Sequence, residues 1–144
     1  MNKKILVILL FSILILSSGL VSAAKLYQDP LNGTDEKTFK KKCEEVTYRD
    51  IKPNEDLKNH PVKLTGMVEI VKDDIMVFHA DGLRDQEIIV NLPPDQDNSK
   101  YKKFQGLNAV IYGVYQGLDD FSFSGERPYI SIGVIDYYVK WVIE

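Results

Sequence analysis

From residue 62 onward, apolar and polar positions alternate with period two, the signature of half-buried strands. Val62, Leu64, Val68 and Ile70 fall on one row, with Gly66 among them, and predict one strand over 62–71. Lys72-Asp73-Asp74 is a turn returning the chain into Ile75–Ala80, and Asp81-Gly82 turns it again. Gln86–Leu92 is a third strand, in which Ile88, Val90 and Leu92 alternate with Glu87, Ile89 and Asn91. Pro93-Pro94 stops it, and the polar stretch that follows reads as a short helix closed by Gly106. LNAVIYGVYQG from Leu107 is a fourth strand, and after the loop from Leu118 to Arg127 the chain enters a fifth, PYISIGVIDYYVKWV.

Upstream the period is helical. Thr34 or Asp35 caps a helix running to about Glu45, with Phe39, Cys43 and Val46 on one face. Thr47 caps a second turn holding Tyr48–Ile51, and Asn59 is placed to take a left-handed conformation. The stretch before them, with Asp29-Pro30 and Leu31–Asp35, is rich in turn residues and reads as a linker.

Three strands, a short helix and two more strands is the order of the OB-fold, and the chain resembles it. The expected fold is therefore all-β with short helices: a five-stranded Greek-key OB-fold barrel, an N-terminal helix packed outside, and a short helix between strands three and four. A small closed barrel coils its first strand sharply, and Gly66 is expected to serve that curvature. Gly113 and Gly133 are candidates for the same role.

The run YRDIKPNEDLKNHPVKLTGMV, then IYGVYQG and RPYISIGVI, narrows the resemblance. It looks like the small exported or lipoprotein OB-fold domains of bacteria and archaea grouped with the tRNA-anticodon-binding-like (tRNA_anti-like) superfamily, over about Val46 to Val139. The chain departs from that pattern at Lys52, where an arginine is usual, at the reversed order Pro53-Asn54, and at Asn59 in place of a glycine.

The first residues change the picture of location. Asn2-Lys3-Lys4 precedes an almost unbroken apolar run, and Val21-Ser22-Ala23 fits a signal-peptidase site. The expectation is a signal peptide over 1–23 or a retained anchor, a linker and helix over 24–45, and the OB-fold domain over 46–144, acting extracytoplasmically, secreted or in the cell envelope. Asn32-Gly33-Thr34 is then a candidate glycosylation site at Asn32.

The 144 residues are 44% hydrophobic and 27% charged, an ordinary globular balance. The formal charge of −3 becomes −5 once Lys3 and Lys4 leave with the signal, which disfavours general nucleic-acid binding. Cys43 is the one cysteine, so no intrachain disulfide forms.

Catalytic chemistry finds little to work with. His60 and His79 each border a strand end and read as exposed polar residues, no Gly-x-Ser-x-Gly elbow is present, and Asp73-Asp74 and Asp119-Asp120 read as solvated pairs. Asp95–Ser99 fails as a calcium loop, with Lys100 in the glycine position and Gly106 in that of the bidentate glutamate. The chain is thus expected to be no enzyme and to need no cofactor or metal.

A binding surface remains. An OB-fold holds ligands on strands two and three, between the loops joining strands one to two and four to five. The second of those loops carries Phe121, Phe123 and Arg127, and with Tyr115 these are the candidate ligand-binding residues. The expected function is a non-catalytic module for an envelope protein, peptide or glycan, with nucleic acid an unlikely partner. The alternative is an exported single-stranded nucleic-acid binder, which a basic stripe of Lys100, Lys102 and Lys103 with Lys63 nearby would favour.

Overall fold

The computed structural model describes residues 27, 29–52, 55–120 and 126–139. A seven-residue helix, α1 (Glu36–Lys42), opens the described fold. The two-residue strand β1 (Glu44–Glu45) and a single helical turn, α2 (Tyr48–Ile51), lead into the barrel strands. These are β2 (Pro61–Lys72), β3 (Ile75–Ala80), β4 (Glu87–Asn91), β5 (Asn108–Asp120) and β6 (Glu126–Tyr137), with 3-10 turns at Glu55–Leu57 and Ser99–Phe104. The strands run in the order β1-β2-β3-β4-β6-β5, and an added β2–β5 pairing closes β2 to β6 into a five-stranded barrel of OB-fold type.

Closure depends on β2, whose first half pairs with β5 and whose second half pairs with β3. Gly66 lies in the overlap, opposite Ala80 on one side and Ala109 on the other. Three small residues thus form one inward row across three strands, and the Phe78 ring fills the space they leave. An ideal Cβ on Gly66 would lie 2.8 Å from Phe78 Cζ and would also collide with the His79 carbonyl. The glycine therefore serves close approach at the seam as well as curvature.

Val62, Leu64 and Val68 point into the core as the alternation predicts, but Ile70 is 43% exposed and Val71 is buried. A bulge between Val68 and Ile70 inserts one residue and reverses the facing. The core is completed by Phe78, Ile88, Val90, Ile111, Tyr115, Ile130 and Ile132 from the other strands, and by Ile51, Tyr101 and Phe104 from the helical segments.

Gly133 stands at a bulge of β6, where the pairing with β5 shifts between Tyr112 and Gly113, and it does a second job besides that curvature. It lies on the outer wall of β6, and the Phe39 ring of α1 rests where its side chain would be. That glycine lets the helix pack on the outside of the barrel. The helix also ends earlier than its apolar spacing suggests: Cys43 adopts extended backbone, and Glu44–Glu45 pair in parallel with Val62–Lys63 of β2. The Asp35 side chain accepts from the Thr38 N–H (2.9 Å) and caps α1, and this bonding holds its carboxyl below the usual carboxylate range.

At α2 the cap is reciprocal. The Thr47 N–H donates to the Asp50 carboxylate (2.8 Å), and the Asp50 N–H donates to Thr47 Oγ1 (3.4 Å). Because α2 delivers the fully buried Ile51 to the core, Thr47→Ala is expected to cost about 1 kcal/mol of stability, read as a lower denaturation midpoint, while Thr47→Ser stays near wild type.

Left-handed residues punctuate the chain where turn chemistry predicts: Asn59 (φ 68°) before β2, Asp73 (φ 52°) between β2 and β3, and Gly106 (φ 80°) after the second 3-10 turn. The loop from Leu118 to Arg127 is shorter than expected, because Asp119 pairs with Arg127 and Asp120 with Glu126 as strand. Phe121 and Phe123 lie outside the described residues, as does the apolar segment over 1–23. Among the described residues no helix is long and apolar enough to cross a membrane.

Candidate nucleic-acid interface

Cross-strand pairing places Lys63 of β2 directly opposite Tyr112 of β5, both on the outer face because Val62, Leu64, Ile111 and Gly113 point inward. The last turn of α1 lies alongside. Lys40 and Lys63 sit over the Tyr112 ring at 5.3 and 5.8 Å from its centroid, within range of a cation–π attraction. Lys37, Lys40, Lys41, Lys63 and Tyr112 line an open depression of about 580 Å³ together with Glu36, Glu45 and Cys43.

Lys40 is a fixed part of this wall. Its ammonium bridges Asp136 of β6 (2.6 Å) and Glu36 (3.2 Å), and those contacts hold its pKa above the ordinary lysine value. At the edge of the depression, burial pushes the Cys43 thiol up to about 11, so it is a neutral packing group rather than a thiolate nucleophile.

On the other side of Glu36 a second hollow, about 240 Å³, is lined by Lys100, Lys103, Tyr101, Phe104 and Ile135. Here Lys100 lies over Tyr101 (5.1 Å), and Lys103 over Phe104 (5.2 Å) and the half-exposed Tyr137 (5.9 Å). The Phe104 and Tyr137 rings themselves meet at 4.6 Å between centroids. The two hollows share Glu36 and together present six lysines against two glutamates, interleaved with aromatic rings.

Lys102 is not part of this surface. It faces the opposite hollow, with Asp73, Asp74 and Asp97. The acidic residues of the Asp95–Ser99 stretch are organised there by Asn98, which is buried and donates from its side chain to the carbonyls of Pro93 (2.8 Å) and Asp73 (3.2 Å).

The residues singled out from sequence fall elsewhere. Tyr115 is 1% exposed and lies in the core, where burial raises its pKa. Arg127 is paired with Glu87 on the outer wall. Asn32 is exposed in a turn with Gly33 (φ 79°). His79 contradicts its expected exposure: only 3% of it is accessible, and its Nε2 contacts the Glu69 carboxylate. Sequence reasoning passed over Tyr112, Lys37 and Lys41 as site residues. The available signal was Lys63, whose strand neighbour can be assigned only once the β2–β5 register is known.

No family model matches the chain, and no curated protein matches it. Solved structures do. One is the Stn1–Ten1 complex of S. pombe, at 11% identity over 67% of this chain and 77% of the matched chain, with TM-score 0.45. The telomere capping protein Ten1 from Saccharomyces pombe matches at 10% identity over 66% and 80%, with TM-score 0.44. Replication protein A of U. maydis, bound to single-stranded DNA, matches at 12% identity over 71% and 78%, with TM-score 0.44.

Three expectations are corrected. The reading as an extracytoplasmic module for an envelope protein, peptide or glycan is withdrawn, because the surface it relied on is not assembled among the described residues: Tyr115 lies in the core, Arg127 is paired with Glu87, and the open hollows are lined instead by lysines and aromatic rings. The secreted or envelope location goes with it; that reading drew on the sequence over 1–23, which lies outside the described residues, and on a family resemblance that no family model supports. The exclusion of nucleic acid as a partner is also withdrawn. It rested on net charge, which averages over the whole surface, whereas the hollow with Asp73, Asp74 and Asp97 is acidic and the two hollows around α1 set six lysines against two glutamates.

Proposed function

We propose that the domain is a non-catalytic binder of single-stranded nucleic acid, and that the strand runs over the lysine and aromatic surface around α1. The observation that carries this reading is the Lys63–Tyr112 pair, flanked by Lys37 and Lys41 and continued past Glu36 by Lys100, Lys103 and Tyr137. Single strands are held without sequence preference by cations tracking the backbone and aromatic faces on which bases stack. Tyr112 offers the stacking face, and the Lys63 ammonium can leave its ring for a phosphate oxygen. Phosphates on successive nucleotides would meet lysines on either side of Glu36. Nothing in this contact requires export, and nothing in it discriminates a particular base. The spacing shared with tRNA-anticodon-binding-like domains is compatible with the same ligand class.

The test is a fluorescence-anisotropy titration of a labelled oligothymidylate with the full chain in mild detergent, repeated over a range of salt. Saturable binding is expected, with log K falling against log salt at a slope of about −2 to −4, since each phosphate neutralised on a single strand contributes roughly 0.7. Tyr112→Ala is expected to weaken binding by about 1–3 kcal/mol with little change in that slope, because it removes stacking and leaves the charges. A wild-type titration flat at low salt would end the proposal, and a Tyr112→Ala variant that binds like wild type would remove Tyr112 from the contact.

A further inference from the structure

We propose that Glu69, His79 and Glu87 form a site for a borderline divalent cation of the zinc class, on the outer wall of β2, β3 and β4. Each side chain offers one ligand atom, and the three atoms lie within 4.8 Å of one another. The fold brings them together by register. His79 and Glu87 are direct partners across β3 and β4, and Glu69 shares their face two residues beyond Met67, the partner of His79 on β2. One imidazole and two carboxylates form the mixed nitrogen and oxygen set that such ions take, with bonds near 2.0–2.2 Å. All three come from paired strands, a rigid base for a coordination shell.

The buried imidazole is what lifts this cluster above an ordinary surface group of acids. His79 points from the outer side of the sheet yet is 3% exposed, and its Nε2 faces the Glu69 carboxylate. A histidine retained for packing alone would be served better by an apolar side chain. A simple His79–Glu69 ion pair would use one ring nitrogen and leave Glu87 to Arg127. A cation engages all three side chains at once. Arg127 then keeps one oxygen of Glu87 and orients the carboxylate, as outer partners of metal ligands do. Three protein ligands leave a position for water or for an oxygen of a bound molecule. None of the three lines the lysine surface, so this site stands or falls independently of the proposed function.

The test uses the full chain in mild detergent, stripped of metal with a chelator. Zinc is titrated in competition with a chromophoric chelator, and cobalt is followed by its visible absorption. One equivalent of each is expected to bind. Glu69→Gln, at a half-exposed position that leaves the fold intact, and Glu87→Gln are each expected to lower zinc affinity about tenfold or more. Cys43→Ser is expected to change nothing. Absence of stoichiometric binding to the wild type, wild-type affinity in Glu69→Gln, or loss of binding in Cys43→Ser would each overturn the site.

Discussion

Gly66→Ala is expected to destabilise the barrel by roughly 3 kcal/mol or more, read as a large drop in the midpoint of chemical denaturation followed by circular dichroism. The added methyl group would meet the His79 carbonyl on the neighbouring strand and approach the Phe78 ring to 2.8 Å. A side chain can swing away from such a clash, but a backbone carbonyl in a ladder moves only with its strand. Here β3 is held by β4 on its other edge and cannot yield without breaking that ladder. Gly133→Ala is the informative comparison. Its three nearest contacts are all on the Phe39 ring, which can retreat with α1 without disturbing the barrel, so its cost is expected to be the smaller of the two. Equal losses at the two positions would mean that the seam between β5 and β3 is not the constraint.

Replacing Lys37, Lys41 and Lys63 together by glutamate is expected to weaken oligonucleotide binding at low salt by about two orders of magnitude or more, and to flatten the salt slope by roughly 2. All three line the depression beside Tyr112, and none makes the structural bridge that Lys40 makes to Asp136, so the fold is expected to survive. Anisotropy titrations of the wild type and the triple variant measure both quantities. A matched pair separates local from overall charge. Lys63→Glu and Lys102→Glu change the net charge equally, yet Lys102 lies in the hollow with Asp73, Asp74 and Asp97. The first is expected to impair binding clearly and the second only slightly. Equal effects would show that the ligand responds to net charge and not to this surface, and the proposed interface would be abandoned.

That contrast also explains why the lysine surface was hard to read in the chain. Counting charges gave an acidic protein, and the count is correct, but Lys37, Lys63 and Lys100 are far apart in sequence and are assembled around one helix by strand register. Alternation along β5 separates Tyr112 from Tyr115, three residues on: Tyr115 shares the inward row of Ala109, Ile111 and Gly113, and Tyr112 faces outward. The lysines beside Tyr112 come from β2 and α1, and nothing local in the chain announces them. The cluster of Glu69, His79 and Glu87 has no motif spacing at all, since three strands supply one ligand each.

The elements and their order were legible in the chain, because these follow from interactions between near neighbours. Period-two runs set β2 to β6, Asp35 and Thr47 capped the helical turns, and Asn59, Asp73 and Gly106 took the left-handed conformations that end or turn them. From that order the barrel followed. Which side chains meet on one face was settled by packing between elements. The bulge after Val68 turned Ile70 outward, and Gly133 made room for Phe39 so that α1 could bring its lysines against Lys63 and Tyr112. Those outcomes depend on which residues face one another across strands and on how closely a helix can approach a sheet. Both are set by packing at long sequence separation, where local alternation is silent.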